Sequence, residues 1–284
     1  MSWQVLIAVS LLCYSVTTLL QRVFLKDSKI NPVLFAIYFQ FFTGVFIGIF
    51  GFALSDMSLP PLRPFLGNLL LMAVLYALAN TLIFNALKQI EASRFAIIFS
   101  SRTLFTIFAS SLLLKEGLTL QQFGGAFLIL TGIVVANMKT KMFIFGKTEF
   151  LVLVAAACFG FALTNDSFLL KSFSLYPYAF INLIFPAIFL FLLNISKIKD
   201  GSFFFKAKFF GRMIVISFLY AVSVLTFFSA LQTSGNSSQI SAISTVSVII
   251  TVILAIIFLK EQENMGKKIL GAILSFIGLL LITR

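Results

Sequence analysis

The segment "LLLKEGLTLQQFGGAFLILTGIVV", residues 112–135, decides the fold, because the chain repeats its pattern near the C-terminus. The second version, "IFLKEQENMGKKILGAILSFIGLLL", occupies residues 257–281. Shifting the chain against itself by about 145 residues superposes the two segments and places Cys13 on Cys158. A repeat over this distance predicts two copies of one structural unit.

The composition predicts that both copies lie in a membrane. Sixty per cent of the 284 residues are hydrophobic and 11% are charged, a balance that a single soluble core of this length does not need. A helix that crosses the roughly 30 Å hydrocarbon layer needs about 20 apolar residues. We therefore predict an all-α polytopic membrane protein with ten transmembrane helices, at 3–25, 33–54, 65–87, 95–114, 120–138, 149–170, 177–195, 210–231, 239–259 and 267–283.

The number of spans in each copy sets the relative orientation of the copies. We assign five spans to residues 1–140 and five to residues 141–284. Because five is odd, the chain enters the second copy from the opposite side of the membrane, and that copy is upside down. Inverted repeats of this kind recur in secondary transporters, where the two halves alternately open a central site to either side. The repeat thus predicts a mechanism and leaves the solute open.

The basic residues predict which way the chain is inserted. Of the 21 Lys and Arg residues, sixteen fall in loops on one side of the predicted spans, four on the side of the N-terminus, and Arg102 inside a span. The positive-inside rule assigns the sixteen to the cytoplasm, with both termini outside. The basic residues are scattered over short loops and form no single patch, so we expect no nucleic-acid partner.

The residue types that most cofactor sites need are scarce. The sequence contains no His, and its two cysteines, Cys13 and Cys158, lie in apolar runs without zinc-type spacing. It also lacks a phosphate-binding glycine loop and a nucleophile elbow. We expect no cofactor, no metal and no ATP hydrolysis in this chain, and we expect that it is not an enzyme. A membrane-embedded enzyme or lipid-handling scaffold is the alternative function.

Arg102 stands in "FSSRTLFTIF", residues 99–108, roughly 4 to 5 Å from the centre of the predicted span 95–114. A charge at this depth costs about 2.5 to 3.5 kcal/mol, so it must face a partner or a wet cavity. A guanidinium binds carboxylate or phosphate through two parallel hydrogen bonds, and we predict an anion anchor. The alternative is an internal salt bridge or a carbonyl-capped arginine. The counterpart in the repeat, Ser247, is uncharged, which favours the ligand because a scaffold role would be shared by both copies.

Asp166 is the one carboxylate well inside a predicted span. We predict that it is the group that couples transport to a proton or cation, or the counter-ion of Arg102. A simpler alternative is an interfacial aspartate paired with Lys171. Glu91 and Arg94, three residues apart, are predicted to form a surface ion pair, with a gate as the alternative.

Weakly polar side chains inside the spans are candidates for solute contacts, although amides in lipid often bond helix to helix instead. The predicted set is Tyr14, Tyr38, Gln40, Asn80, Asn182 and Tyr220. Gly125 and Gly132, like Gly271 and Gly278, are seven residues apart and fall on one helix face, where small residues allow close helix contact.

The two segments quoted first, with "NALKQIEAS" (85–93) and "SALQTSGNS" (229–237), resemble the EamA units of the drug/metabolite transporter superfamily. That unit has an alanine-rich approach to its fourth helix, a Glu that closes this helix, here Glu116 and Glu261, and a glycine-spaced fifth helix. The resemblance covers the whole chain. It implies a ten-helix transporter of small metabolites, with a central cavity lined mainly by the first, third, fourth, sixth, eighth and ninth helices.

The partners follow from this resemblance together with Arg102. We expect a small-molecule solute with an anionic group, such as an amino acid or a nucleotide-like metabolite. The other partner is the lipid bilayer. We expect the protein to act as a monomer in a bacterial inner membrane. Two features depart from the family. Its members usually keep both termini in the cytoplasm, opposite to the charge count, and often have a proline in the fourth helix, where this chain has Thr103 and Val248.

Overall fold

The structure is a computed structural model that describes most of the chain. The described residues are 2–26, 30–114, 120–139, 142–143, 146–197, 207–234 and 246–282. Glu116 and the predicted start of the ninth span at 239 lie outside them.

Helices make up nearly all of the described residues. In chain order they are α1 (Trp3–Leu25), α2 (Pro32–Leu54), the 3-10 turn η1 (Arg63–Phe65), α3 (Leu66–Gln89), α4 (Ala92–Phe99), α5 (Arg102–Leu114), α6 (Leu120–Asn137), α7 (Lys147–Leu169), α8 (Leu175–Leu193), α9 (Ala207–Ser234), α10 (Val246–Leu259) and α11 (Met265–Ile282). Between α6 and α7, the two-residue strands β1 (Met138–Lys139) and β2 (Met142–Phe143) pair antiparallel. Apart from this two-residue pairing, the fold of the described residues is all-helical, as predicted.

Six helical segments of the described chain are long and apolar enough to cross a membrane. They are α1, α2, η1 with α3, α7, α8 and the apolar part of α9. Gly124–Ala136 in α6 and Val246–Leu259 are shorter apolar helices. The chain is therefore an integral membrane protein with several spans, and the full set of ten remains a prediction.

Asn31 explains why α2 begins where it does. Its side-chain oxygen accepts hydrogen bonds from the backbone N–H groups of Val33 at 2.9 Å and Leu34 at 3.4 Å. These donors have no partner within the helix, and a side-chain cap satisfies them. Pro32 follows at the first helical position, where its missing N–H costs nothing. The helix begins one residue before the predicted span at 33–54.

The structure divides the predicted span at 95–114 into two helices, α4 and α5. The break falls at Ser100 and Ser101, whose hydroxyls donate to the carbonyls of Ile97 at 2.6 Å and Ile98 at 2.7 Å. Hydroxyl bonds of this kind compete with the helical ladder and loosen it. Arg102 therefore begins a helix instead of lying in the middle of one.

The glycines of α6 and α11 bring these two helices into backbone contact. A Cβ added at Gly132 would lie 2.6 Å from the carbonyl oxygen of Gly271, and one added at Gly278 would lie 2.5 Å from that of Gly125. Small residues permit such close crossings in membranes. The predicted close helix contact at these glycines is confirmed, and the reversed order of the partners shows that the helices run antiparallel.

Helices α2 and α8 also cross antiparallel. Gly44 of α2 faces Ile184 of α8. Gly48 lies one turn further along α2 and faces Phe180, which lies one turn earlier in α8. The other main contacts join α1 to α9, α3 to α7, α5 to α7 and α1 to α10. Together these helices surround a space between the first and second halves of the chain.

Candidate functional site

A cavity of about 140 Å³ lies between the two halves, and we call it the chamber. Side chains from α1, α2, α3, α5, α7, α8, α9 and α10 form its wall. These include all six spans that the family resemblance implies. The second and seventh spans contribute as well, through Gln40 of α2 and through Asn182 and Leu183 of α8.

The structure gathers most of the predicted site residues around the chamber. Its wall includes Tyr14, Gln40, Asn80, Arg102, Asp166, Asn182 and Tyr220. Tyr38 is the exception among the predicted residues: it is not part of the wall, and its ring stacks on Phe42 with centroids 6.5 Å apart. We therefore remove Tyr38 from the candidate site.

Arg102 places its guanidinium among three aromatic rings at the edge of the chamber. The guanidinium carbon lies 5.6 Å from the ring centre of Tyr14, 5.1 Å from that of Phe99 and 5.3 Å from that of Phe159. Such cation–π contacts partly compensate for lost water. Within the described chain the guanidinium makes one hydrogen bond, in which Nη1 donates to the Tyr14 hydroxyl at 3.4 Å.

The guanidinium of Arg102 keeps most of its donors available. Among the residues that the structure describes, no carboxylate forms an ion pair with it, so the alternative of an internal salt bridge finds no support there. A guanidinium has five N–H donors. The backbone N–H groups of Thr103 and Leu104 already bond to the carbonyls of Ser100 and Ser101. The side chain, and not the start of α5, therefore offers donors to a ligand.

Asp166 is held by three donors from two neighbouring helices. One carboxylate oxygen accepts from the Tyr76 hydroxyl at 2.5 Å, and the other accepts from the Tyr178 hydroxyl at 2.5 Å and from the Asn182 amide at 3.3 Å. Only 1% of the side chain is exposed. Within the described chain, Asp166 pairs with neither Arg102 nor Lys171, so two of the predicted alternatives are wrong.

Sequence reasoning missed the two tyrosines that hold Asp166. Tyr76 precedes Asn80 by four residues, and Tyr178 precedes Asn182 by four residues. Residues four apart share one face of a helix. Each tyrosine could therefore have been added to the site once its asparagine was chosen.

Gln40 and Asn80 bond to each other across α2 and α3. The Asn80 amide donates to the Gln40 side-chain oxygen at 3.1 Å, and the Gln40 amide donates to the carbonyl of Ala36 at 3.1 Å. Gln40 is fully buried. For this pair the helix-to-helix alternative describes the observed contacts, although both side chains also border the chamber.

At one end of the bundle, charged residues join the two halves. Glu91 pairs with Lys268 of α11 at 2.8 Å, and Arg94 pairs with Glu149 of α7 at 2.9 Å. The expectation of a surface pair between Glu91 and Arg94 is therefore corrected: each binds a residue of the other half. This is the end where the sixteen basic residues are predicted, and we call it the charged end.

Glu261 adds a third contact at the charged end. Its carboxylate accepts from the backbone N–H groups of Ala92 at 2.8 Å and Ser93 at 3.0 Å, and from the Ser93 hydroxyl at 2.6 Å. A carboxylate at a helix start satisfies unpaired N–H groups and complements the helix dipole. A glutamate of the second half thus caps α4 of the first half.

No group of three His, Cys, Asp or Glu side chains that could hold a metal ion occurs in the described part of the chain. The chamber instead combines one arginine, one enclosed carboxylate, amides, hydroxyls and aromatic rings. Such a wall can bind and orient a solute.

Comparisons with known proteins agree with this architecture. A family model described as the EamA-like transporter family matches residues 1–138 and 146–284. Among solved structures, 27 chains match. One of them, described only as the crystal structure of a protein, aligns with a TM-score of 0.59 and 14% identity, over 98% of this chain and 95% of that one. No curated protein matches the sequence. At this identity, the structural likeness shows the fold alone.

Proposed function

The chain belongs to the EamA-like transporter family, and from this premise we propose that it is a secondary transporter that moves a small organic solute with an anionic group by alternating access. Transporters of this family are membrane proteins of the drug/metabolite type. The proposal includes a monomer in a bacterial inner membrane, with ten spans arranged as two inverted units at 1–140 and 141–284.

The observation that carries the proposal is the guanidinium of Arg102 at the chamber. It has no carboxylate partner among the described residues and a single long hydrogen bond. A permanent charge held within a membrane without a partner is costly, and such residues usually serve a substrate or ion. A carboxylate or phosphate on the solute would supply the missing charge and bind in a bidentate manner.

The packing of the two halves supports the inverted arrangement. If a two-fold axis lies in the membrane plane, equivalent helices that touch each other must run antiparallel. Helices α2 and α8 are equivalent in the repeat and cross antiparallel, as do α6 and α11. The same operation converts the contact of α1 with α9 into that of α7 with α3, which is also present.

The charged end provides a gate for alternating access. The ion pairs of Glu91 and Arg94 and the cap from Glu261 all join one half to the other, so they have to separate before the chamber can open at that end. The residues that align with Glu91 and Arg94 in the second copy, Gly235 and Ser238, are uncharged. The charged pair of residues at 91 and 94 is therefore not repeated in the sequence of the second copy.

Asp166 is the proposed coupling group. It belongs to α7, and its donors belong to α3 and α8, so it links elements of both halves. Protonation would convert one acceptor oxygen into a donor and would disrupt at least one of the bonds from Tyr76 and Tyr178. A proton taken from one side could in this way loosen the contact between the halves.

A binding experiment with Arg102 variants tests the proposal. Purified protein is screened by thermal shift against organic anions and organic cations, because a ligand that binds only the folded state raises the apparent stability. Arg102→Gln should lower the affinity for anions by about 10- to 100-fold, the range expected for a lost charge-assisted pair. Arg102→Lys should lose less, and Arg63→Gln, at an exposed arginine of η1, should lose nothing.

Two results would contradict the proposal. One is an unchanged anion affinity in Arg102→Gln. The other is an equal loss for cations and anions in a variant that melts at a lower temperature, which would assign Arg102 a structural role.

A further inference from the structure

Among the residues that the structure describes, the chamber wall has one charge that a solute can reach, and that charge is positive. Resting on the proposed function, we infer that the solute is a small organic monoanion with a compact apolar body and no ammonium group. Zwitterions such as free amino acids, and nucleotide-like anions, would be excluded.

The single carboxylate of the chamber wall is already engaged. Arg102 and Asp166 are the two charged residues among the described residues that line the chamber. A carboxylate offers about four lone-pair positions, and Asp166 fills three of them with Tyr76, Tyr178 and Asn182. With 1% of its side chain exposed, it has no surface on which an ammonium could bind.

The other acceptors among the described wall residues are neutral, and several of these side chains already form hydrogen bonds within the protein. The hydroxyls of Ser10 and Ser223 each donate to the backbone carbonyl of the other at 2.9 Å. The Gln40 side-chain oxygen accepts from Asn80. The hydroxyl of Thr106 donates to the carbonyl of Arg102 at 3.0 Å. An incoming ammonium would therefore meet neutral oxygens at these side chains and would find no counter-charge.

The aromatic rings around Arg102 do not provide a second cation site. The rings of Tyr14, Phe99 and Phe159 surround the guanidinium of Arg102, so a cation near them would meet a like charge. A buried ammonium without a counter-charge is strongly disfavoured. Among the described residues, the wall therefore offers an ammonium no counter-charge that it can reach.

The size and the apolar lining of the chamber limit the size and the polarity of the solute's body, the part beyond its anionic group. Its volume of about 140 Å³ is close to that of an engineered apolar cavity of about 150 Å³ that binds benzene. The wall also includes the apolar residues Leu11, Leu163, Leu183, Phe227 and Phe228. One ring or a short branched chain fits such a space, whereas a base with a sugar and a phosphate does not.

Matched pairs of solutes test this inference. Each pair differs in a single ammonium group: 4-methylpentanoate with leucine, and phenylacetate with phenylglycine. Dissociation constants are measured by calorimetry with the full-length protein at neutral pH, with uridine monophosphate as the test of size and 3-methylbutylamine as the cation. We expect at least one carboxylate to bind, its amino-acid partner to bind at least about tenfold more weakly, and the nucleotide and the amine not to bind.

The outcomes separate the inference from the function on which it rests. If leucine or phenylglycine binds as tightly as its partner, and Arg102→Gln weakens that binding, the inference is overturned while the anion transporter stands. Binding of uridine monophosphate overturns the size argument in the same way. If no anion binds in a way that depends on Arg102, both the inference and the proposed function fail.

Discussion

Asp166 and Arg102 show two ways in which a membrane protein can bury a charge. Asp166 receives three hydrogen bonds from Tyr76, Tyr178 and Asn182, so its charge is stabilised within the protein. Arg102 rests on aromatic rings and has one weak hydrogen bond. The first arrangement keeps a carboxylate charged without a cationic partner. The second arrangement leaves most donors of the guanidinium available for a ligand.

Replacement of Asp166 by Asn should separate coupling from binding. The amide would present a donor to a hydroxyl that now donates to the carboxylate, and it cannot exchange a proton. We expect Asp166→Asn to abolish uptake driven by a proton gradient and to retain exchange of solute in proteoliposomes. Asp56→Asn, at an exposed aspartate after α2, serves as the control. Unimpaired gradient-driven uptake in Asp166→Asn would rule out the coupling role.

The two charges could be predicted from the sequence because a charge in an apolar run is conspicuous. Their surroundings could not, since Tyr76 lies 90 residues from Asp166. The helical periodicity of α2 would have shown that Tyr38 and Gln40 do not belong to the same candidate site. Tyr38 is two residues from Gln40 on α2, about 200° around the helix, so both cannot face the same chamber.

At the scale of the helices, glycines set the distance between α6 and α11, because they allow the two backbones to approach closely. Backbone atoms of Gly125, Gly132, Gly271 and Gly278 touch across the crossing. Because the spacing of seven places glycines on one face, the contact could be predicted from the sequence. The identity of the partner helix could not be read from that spacing.

Gly132→Ala should destabilise the protein by about 1–3 kcal/mol, because the added methyl group would overlap the backbone of α11. Gly124→Ala, on the same helix, is the matched control: its Cβ would meet nothing within 4 Å, so the change should be neutral or slightly stabilising. Unfolding of both variants in mixed micelles gives the comparison. Equal stability of the two would disprove the close crossing.

The division of the fourth span into α4 and α5 was not predicted. Thr103 occupies the position at which the family often has a proline, and the sequence therefore left a kink undecided. The structure obtains the break from Ser100 and Ser101, whose hydroxyls bond to carbonyls three residues earlier. Serines lie in many uninterrupted membrane helices, so the sequence alone does not reveal which pair will break one.

At the scale of the whole molecule, the charged end holds the two halves together. Lys268 is almost fully buried, with its ammonium 2.8 Å from Glu91 and 3.0 Å from the carbonyl of Glu261. The two-copy organisation is a prediction from the repeat in the sequence. The ion pairs across the halves could not, because each joins residues that are far apart in the sequence.

Reversing one charge of this contact should open the charged end, and reversing both should close it again. Lys268→Glu sets two carboxylates together, whereas Glu91→Lys with Lys268→Glu restores an opposite pair. The readout is the labelling rate of Ser247→Cys in the chamber, in protein without Cys13 and Cys158. We expect several-fold faster labelling from the charged end in the single variant and recovery in the double variant. Identical rates in all three proteins would exclude a gate.

The central claim is that the two halves are inserted in opposite senses, and sidedness labelling of two cysteines tests it most directly. Ser55 follows α2 and Ser196 follows α8, at equivalent ends of the two units, and both are exposed. Each is changed to cysteine in protein without Cys13 and Cys158 and is exposed to a membrane-impermeant maleimide in intact cells and in inverted vesicles. The account predicts that Ser55→Cys reacts from outside and Ser196→Cys from the cytoplasm. Reaction of both from the same side would contradict it.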